Sequence, residues 1–386
     1  MKSKQLLEII TSLSQKYIDF LLRAVSLESP TADREAVNRA GDIFAEAAGE
    51  LGFSVLREEM TGAANPISIT MNENSPGAPI VFSGHIDTVH PVGIFGEGGI
   101  YERDGELHGP GAYDCKGGCV AALMAMEALS IMGYKDRPVK LILQTDEEMS
   151  SAPSEKRTVD FMEREARGCV AFLNCEPSMP GEITLMRKGI LRYEIEVVGV
   201  AGHSSKCYLA KSAILEAAHK ITRLEGWKDK DGITVSCGKI WGGTTANTVP
   251  ERCSFVIDIR YKTKEQREEI IREVKRICDT SYTGGTTATM RLLSERVAME
   301  RTDKNERLVG EVNRIFELYG IERVTPVMRT AGSDASDMTS RGICALDGFG
   351  VRGGYIHSTR EYAFSRSVAE AAYKLSAVAM EIRDNF

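Results

Sequence analysis

The sequence predicts an α/β protein with a largely parallel central sheet, interrupted by a second and smaller unit. From about residue 30 to 186, short apolar runs alternate with helix-like stretches, as a parallel sheet flanked by helices requires. Between residues 187 and 296 the order of elements becomes βαββαβ, which is a complete ferredoxin-like unit. From residue 297 the alternation of apolar runs and helix-like stretches returns. We therefore expect one domain of residues 1–186 and 297–386, with residues 187–296 inserted into it.

The larger domain has clear elements on both sides of the insertion. A helix that ends at a glycine is predicted at 116–133, because KGGCVAALMAMEALSIMG is rich in Ala, Leu and Met. Buried strands are predicted in APIVFSG (78–84), VKLILQT (139–145) and CVAFLN (169–174). After the insertion we expect a helix at 304–319, a strand in GICALDGF and a closing helix at 366–383.

The inserted unit is predicted from six consecutive segments. Its first strand, ILRYEIEVVGV, alternates apolar and polar residues, as a half-buried strand does. The remaining segments are the helix KSAILEAAHKITRLEG, the strands ITVSCGKIWGG and RCSFVIDIRY, the charged helix KEQREEIIREVKRICDT and the strand TTATMRLLSE.

Composition excludes several functional classes for this 386-residue chain. A net charge of −7 without a long basic block does not fit a nucleic-acid binder. No apolar run approaches the roughly 20 residues of a membrane span, and the amphipathic N-terminal pattern lacks the apolar core of a signal peptide. Nine cysteines, an odd number with no C-x-x-C pair, argue against a disulfide framework. We expect a cytoplasmic protein that acts on a small molecule.

Metal-binding side chains recur where strands meet loops. VFSGHIDTVH presents His85 and Asp87 on one side of a strand end, GPGAYDCKGG places Asp114 before a helix, QTDEEMS carries Glu147 and Glu148, and LNCEPS carries Glu176. If each motif stood alone, it would be interpreted as a structural feature: a buried His–Asp pair, a glycine-rich turn or an exposed acidic loop. Together, clustered carboxylates need a cation, and a histidine among them favours a transition metal, with zinc as the default. The surplus of carboxylates suggests two ions roughly 3.5–4 Å apart.

Residue chemistry assigns some roles and leaves one open. Asp87 can accept the second ring N–H of His85 and so fix its tautomer. One of Glu147 and Glu148 can bind metal while the other serves as general base, and spacing does not distinguish them. Neither H-E-x-x-H nor G-x-S-x-G is present. His219 lies in a helical pattern and is interpreted as a helix-surface or core residue.

This combination of motifs resembles the co-catalytic zinc amidohydrolases and peptidases. That family includes glutamate carboxypeptidase, succinyl-diaminopimelate desuccinylase, acetylornithine deacetylase, aminoacylase and tripeptide aminopeptidase, and the resemblance covers nearly the whole chain. It implies a zinc-peptidase catalytic domain with an inserted lid and dimerisation domain. GHIDTV, GPGAYDCKGG, DEEMS, CEP and GGYIHSTREY are the matching motifs, although Cys115 stands where Met is more usual. The resemblance implies Asp87 as supporting acid and Glu147 as general base. It also implies one Zn²⁺ held by His85, Asp114 and Glu176, and a second held by Asp114, Glu148 and His357, with Co²⁺ or Mn²⁺ as alternative metals.

The resemblance also implies substrate-binding residues and a homodimer. GVAGHSS supplies His203, which in this family reaches a neighbouring subunit's site and stabilises the oxyanion. Asn247 in TTANTVPERC and Arg260 in VIDIRY match positions that hold the substrate carboxylate. Without the resemblance, Arg260 would be interpreted as a surface strand residue. Gly332 and Ser333 in AGSDAS would offer backbone N–H groups. Gln144, His90 and His108 match no role.

We therefore predict a dizinc exopeptidase or amidohydrolase that cleaves an amide next to a free α-carboxylate. Within the family, LDGFGVRGGYIHSTREY is most similar to the glutamate carboxypeptidase branch. One alternative is a deacylase of N-acyl amino acids, of the desuccinylase or acetylornithine type. Another is an inactive protein that binds amino acids or peptides. The inactive alternative predicts that a ligand or base is lost, and all six are present.

Overall fold

The computed structural model describes residues 2–229 and 232–386. The chain divides into two compact units. The larger unit consists of residues 1–185, 301–328 and 333–386, and the smaller unit consists of residues 186–300 and 329–332. The sequence pattern assigned every residue after 296 to the larger domain, so the short segment 329–332 is a difference. Its backbone bonds to the first residues of the smaller unit explain it, since Lys188 N donates to Arg329 O at 3.0 Å.

The larger unit contains a central sheet, a small second sheet and helices on their faces. The helices are α1 (Lys2–Ser26), α2 (Arg34–Glu50), α3 (Lys116–Ile131), α4 (Arg157–Ala166), α7 (Asp303–Leu318), α8 (Asp334–Ser340) and α9 (Ser365–Glu381). The central strands are β1 (Ser54–Arg57), β2 (Ile67–Met71), β3 (Ile80–His85), β6 (Val139–Gln144), β7 (Ala171–Asn174), β8 (Glu182–Arg187), β15 (Thr325–Arg329) and β16 (Ala345–Asp347). The small sheet contains β4 (Tyr101–Arg103), β5 (Glu106–His108), β17 (Gly353–Gly354) and β18 (Tyr362–Phe364). None of the helices in the described ranges has the length and apolar character needed to span a membrane.

The central sheet confirms the predicted α/β fold. Its strand order is β1-β2-β6-β3-β7-β16-β8-β15, and β6, β3, β7 and β16 run parallel. His85 is opposite Gln144 on β6, and Ser83 is opposite Asn174 on β7. The carboxyl ends of these three strands are therefore level, and the loops that follow them start at one edge of the sheet.

Helix α3 packs tightly on this edge because two glycines allow a close approach. A Cβ at Gly84 would lie 2.7 Å from the sulfur of Cys119 on α3. A Cβ at Gly118 would lie 1.9 Å from the carbonyl oxygen of Cys175, which directly precedes Glu176. Any side chain at Gly118 would push α3 away from the end of β7.

The small sheet connects distant parts of the chain. Its order is β17-β18-β5-β4, and Tyr362 on β18 is opposite His108 on β5. This pairing brings the segment of His357 next to the segment of Asp114. These strands were not predicted from sequence, because they are short and lack clear apolar alternation.

The smaller unit has a four-stranded antiparallel sheet with two helices. Its strands are β9 (Gly189–Val198), β10 (Gly202–His203), β11 (Thr234–Gly242), β12 (Thr248–Val249), β13 (Arg252–Tyr261) and β14 (Thr287–Arg296), and its helices are α5 (Ala213–Glu225) and α6 (Lys264–Asp279). The order β11-β13-β9-β14 places the first strand of the unit inside the sheet. The short strands β10 and β12 form a separate pair. A core of Leu191, Phe255, Ile270 and other apolar residues packs between sheet and helices.

Candidate metal centre

Asp114 lies at the centre of a cluster of histidines and carboxylates in the larger unit. Its Oδ1 is 3.0 Å from His85 Nε2, and its Oδ2 is 3.2 Å from His357 Nε2. The two oxygens of one carboxylate thus face two different imidazoles. Ligand atoms at about 2.0–2.2 Å from one zinc ion lie a little over 3 Å apart, so each half of this arrangement has the spacing of a shared ion.

A carboxylate accompanies each histidine of the cluster. Glu176 Oε1 is 3.7 Å from His85 Nε2, and Glu148 Oε2 is 3.2 Å from His357 Nε2. One side therefore contains His85, Asp114 and Glu176, and the other contains Asp114, Glu148 and His357. These are the two sets that the sequence resemblance implied.

Cys115 also lies within reach of the first set. Single ligand atoms of His85, Cys115 and Glu176 all lie within 4.8 Å of one another, as do those of His85, Asp114 and Glu148. The Cys115 thiol is buried and donates to the Cys175 carbonyl at 3.1 Å. In the sequence motif, this cysteine stood out only as a departure from the usual methionine.

The electrostatics of the cluster suit a bound cation. Burial raises the pKa of Glu176 well above its usual range, and burial also raises the pKa of Glu148 to about 8 against the opposing effect of His357. Burial alone would raise the pKa of Asp114, but His357 and His85 outweigh it and hold that pKa well below its usual range. Buried carboxylates that repel one another are stabilised by positive charge, so the donor set fits metal ions.

Asp87 organises the loops around the cluster. The nearest acceptor for His85 Nδ1 is the backbone carbonyl of Asp87 at 3.0 Å, and the Asp87 carboxylate is farther away at 3.4 Å. The sequence interpretation had given this N–H to the carboxylate. In either case, the neutral ring keeps its lone pair at Nε2, on the side of the cluster. The carboxylate itself accepts from the backbone N–H groups of Glu147 and Glu148 at 3.2 Å each.

Glu147 and Glu148 begin a short 3₁₀ turn, Glu147–Met149, that follows β6. The two N–H bonds to Asp87 fix this turn against the end of β3. Glu148 points to His357, and the charge of Glu147 acts on both Glu148 and Glu176. The Glu147 side chain is buried beside the cluster. Both acids therefore lie at the cluster, and Glu148 is the one at 3.2 Å from His357.

Glu361 supports the cluster, although it was not among the residues predicted from sequence. Its Oε1 accepts from the backbone N–H groups of Tyr113 and Asp114 at 3.0 Å each. Its Oε2 is 3.2 Å from His90 Nε2, so His90, which had no assigned role, donates to it. The available signal was the position of Glu361 in GGYIHSTREY, four residues after His357.

The smaller unit brings His203 and Asn247 together. His203 on β10 is opposite Thr248 on β12, and Ser204 N donates to Asn247 O at 3.0 Å. The exposed His203 ring accepts at Nδ1 from the Ser205 N–H at 3.2 Å. Because a nitrogen that accepts carries no proton, the neutral His203 ring has its proton at Nε2.

Arg260 belongs to the smaller unit and is held in place by Asp258. Its Nε and Nη2 contact the two carboxylate oxygens of Asp258 at 2.6 and 3.2 Å, and its Nη1 donates to Thr330 O at 3.3 Å. Gly332 lies in the same unit, where its carbonyl accepts from Arg187 at 3.3 Å.

Ser333 begins the third segment of the larger unit and precedes helix α8. Its hydroxyl is buried and donates to Asp347. The Ser333 hydroxyl is therefore engaged by Asp347. This does not affect the predicted contribution of Ser333, which was its backbone N–H.

The remaining residues without a predicted role have structural contacts. Gln144 is buried and donates to Ser151 Oγ and Thr158 Oγ1 at 3.2 Å each. The His108 ring stacks on Tyr101 with ring centroids 4.6 Å apart. His219 lies on α5, partly buried, as its helical pattern indicated.

Comparison with known proteins gives consistent similarities. A model of peptidase family M20/M25/M40 matches residues 81–381. Carboxypeptidase G2 of Pseudomonas sp. (strain RS-16) is 22% identical over 384 residues, which covers 98% of this chain and 92% of that protein. A succinyl-diaminopimelate desuccinylase of a Nitratiruptor species is 27% identical over 327 residues, covering 80% of this chain and 85% of that protein.

Solved structures share the fold. A tripeptidase from Staphylococcus aureus subsp. aureus Mu50 has a TM-score of 0.80 at 20% identity, and the match covers 95% of this chain and 98% of that one. An M20 family metallo-carboxypeptidase from Sulfolobus solfataricus has a TM-score of 0.72 at 17% identity, and this match also covers 95% of this chain and 98% of that one. The family match spans most of the chain and includes the whole cluster around Asp114. The chain therefore belongs to peptidase family M20/M25/M40 and is a hydrolytic metalloenzyme.

Proposed function

We propose that this enzyme hydrolyses an amide bond next to a free α-carboxylate, as a carboxypeptidase-like exopeptidase on small peptides, with two Zn²⁺ ions per chain. Metal-dependent hydrolysis of peptide or acyl–amino acid bonds follows from the family. The observation that carries the two-ion proposal is the position of the Asp114 carboxylate, with Oδ1 at 3.0 Å from His85 and Oδ2 at 3.2 Å from His357.

The proposed ligand sets share Asp114. His85 and Glu176 complete one set, and Glu148 and His357 complete the other. When bound, the ions supply Lewis acidity that polarises the scissile carbonyl and lowers the pKa of water. Zinc is preferred to Mg²⁺ or Ca²⁺ because imidazoles accompany the carboxylates.

Glu147 is proposed as the general base. It is buried beside the cluster, and the Asp87 carboxylate fixes its backbone through the bond at 3.2 Å. In this role Glu147 takes a proton from the attacking water and passes it to the leaving amine. Asp87 acts as a positioning residue, because it holds the Glu147–Glu148 turn and the His85 ring next to each other.

The substrate-binding proposal rests on the smaller unit and the loop before α8. Asn247 and Arg260 are proposed to bind the substrate α-carboxylate. Arg260 is a permanent cation with five N–H donors, of which its bonds to Asp258 and Thr330 engage three. Gly332 and Ser333 are proposed to contribute backbone N–H groups. His203 is proposed to donate from Nε2 to the oxyanion.

We further propose that the enzyme is a cytoplasmic homodimer in which residues 187–296 act as lid and dimerisation domain. His203 would then serve the site of the partner subunit. The motif GVAGHSS and the tautomer of His203, set by its bond from Ser205 N at 3.2 Å, support the donor role. The odd number of cysteines without a C-x-x-C pair supports a reducing compartment.

A hydrolysis panel tests the reaction. Purified protein is assayed with dipeptides, N-acetyl amino acids and N-succinyl amino acids, each with added Zn²⁺, Co²⁺ or Mn²⁺. Turnover of dipeptides with a free α-carboxylate, and loss of turnover when that carboxylate is amidated, would support the proposal. Preferred turnover of N-succinyl substrates would favour the second candidate, an N-acyl-amino-acid deacylase. The 27% identity to a succinyl-diaminopimelate desuccinylase is the reason for including this candidate.

Metal analysis tests the shared ligand separately. Asp114→Ala should remove both ions, because one side chain serves each set. Glu176→Ala should weaken only one. A variant at Asp114 that retains one ion at full occupancy would contradict the bridging role.

Mixed dimers test the trans arrangement. His203→Ala chains are co-expressed with Glu147→Ala chains, each nearly inactive alone. A mixed dimer then has one site with both intact residues and one site with neither. With random assembly, roughly a quarter of wild-type site activity should return, since half of the dimers are mixed and each has one working site. Verified mixed dimers without recovery would reject the trans arrangement.

A further inference from the structure

We propose that a cavity in the larger unit, separate from the metal centre, binds a small monocarboxylate with an apolar body. The cavity has a volume of about 390 Å³, which is within the usual range for small-molecule sites. Its walls come from α1, the turn before β8, the loop after α7 and α9. None of the side chains of the metal cluster lines it.

The walls of this cavity are largely apolar. Ile10 of α1 and Val324 after α7 are buried at its base, whereas Leu7 is 52% exposed at its opening. Ile321, Ala369, Pro180 and the ring of Tyr373 also belong to the lining. Transfer of an alkyl body from water to such walls is favourable in proportion to the apolar area that it buries.

One cation in the cavity lacks an ionic partner. Lys374 of α9 lines the cavity and is only partly exposed, and no carboxylate of the described residues lies within 4.0 Å of its ammonium. Burial lowers the pKa of Lys374, which indicates that its charge is poorly solvated. By contrast, the other cation, Arg352, is already paired with Glu370. An anionic group placed beside Lys374 would supply the missing partner.

The remaining charge at the cavity favours a monoanion. Two carboxylates act on Lys374 without forming an ion pair with it: Glu370, which has the larger effect and is paired with Arg352, and the exposed Glu322 in the loop after α7. A multiply charged anion such as phosphate would be repelled by Glu322 and would not use the apolar walls. A single carboxylate on an alkyl chain satisfies both the lysine and the walls.

Isothermal titration calorimetry with octanoate tests this proposal on the metal-loaded wild-type protein. Octanoate should bind, and 1-octanol and acetate should bind at least about tenfold more weakly, because each lacks one of the two interactions. Lys374→Met should weaken octanoate binding by about tenfold or more, whereas Lys135→Met, at an exposed lysine of the same unit, should not change it. Glu322→Gln should strengthen octanoate binding by removing the repulsion.

A cavity-filling variant provides an independent check. Ala369→Phe should abolish octanoate binding while circular dichroism and the melting temperature verify that the protein is folded. If it does not fold, the Lys374→Met and Glu322→Gln comparison decides alone. Octanoate that binds no tighter than 1-octanol, that binds Lys374→Met as it binds wild type, or that does not bind at all would overturn the proposal.

Discussion

Replacement of Glu361 should weaken metal binding although this residue touches no metal ligand side chain. Its Oε1 accepts from Tyr113 N and Asp114 N at 3.0 Å each, and its Oε2 accepts from His90 at 3.2 Å. In Glu361→Ala, two buried backbone N–H groups lose their acceptor at about 1–3 kcal/mol each, so we expect about 2–6 kcal/mol less stability. The Asp114 carboxylate also loses its fixed backbone, and such supporting groups change metal affinity by about 10–100-fold.

Two measurements and a conservative variant distinguish positioning from general destabilisation. Zn²⁺ affinity is measured by competition with a chromogenic chelator, and the free energy of unfolding is measured in urea for the metal-free proteins. Glu361→Gln keeps an oxygen for both N–H groups, so its Zn²⁺ affinity should lie within about tenfold of wild type. Glu50→Ala, at an exposed glutamate of α2, serves as the control. If Glu361→Ala bound Zn²⁺ as tightly as wild type, the reasoning would be refuted.

Three further predictions concern other parts of the chain. Glu147→Gln should leave the metal content unchanged and lower kcat by about 10²-fold or more. Glu148→Gln should instead lower the affinity for one of the two ions. If metal analysis and kinetics show the reverse, the two residues have exchanged roles. Gly118→Ala should lower Zn²⁺ affinity and stability by a few kcal/mol in the same assays, because its Cβ would lie 1.9 Å from the carbonyl oxygen of Cys175. Glu216→Gln should destabilise the smaller unit by about 2–3 kcal/mol at neutral pH. Burial opposes ionisation of Glu216, but a lysine at 3.0 Å and backbone N–H groups hold its pKa at about 2, against 4.5 when unfolded. The advantage of the wild type should therefore be complete above about pH 4.5 and disappear as pH falls towards 2, as unfolding in urea across this range would measure.

The elements that could be predicted from sequence are those with strong local patterns. The strand at 78–84 is present as β3 and the helix at 116–133 as α3, because continuous apolar runs and high helix propensity act over neighbouring residues. The small sheet of β4, β5, β17 and β18 was missed, because its strands have two or three residues and exist only through pairing between distant segments.

The same distinction holds for the candidate metal centre. The position of His85 at a strand end follows from the strand itself and from the rule that parallel strands present their carboxyl ends together. Spacing left the roles of Glu147 and Glu148 open, and only the structure places the Glu148 carboxylate at 3.2 Å from His357.

The sequence by itself determined the α/β architecture and the types of side chain that follow the central strands, because these depend on periodicity and on residue chemistry. Only the tertiary structure decided that the two oxygens of Asp114 face different histidines, and that Glu361 and His90 hold the backbone before it. Glu361 and Asp114 are 247 positions apart. No local pattern encodes such a contact, since it forms only when the packing of α3 and the pairing of β18 with β5 bring the two segments together.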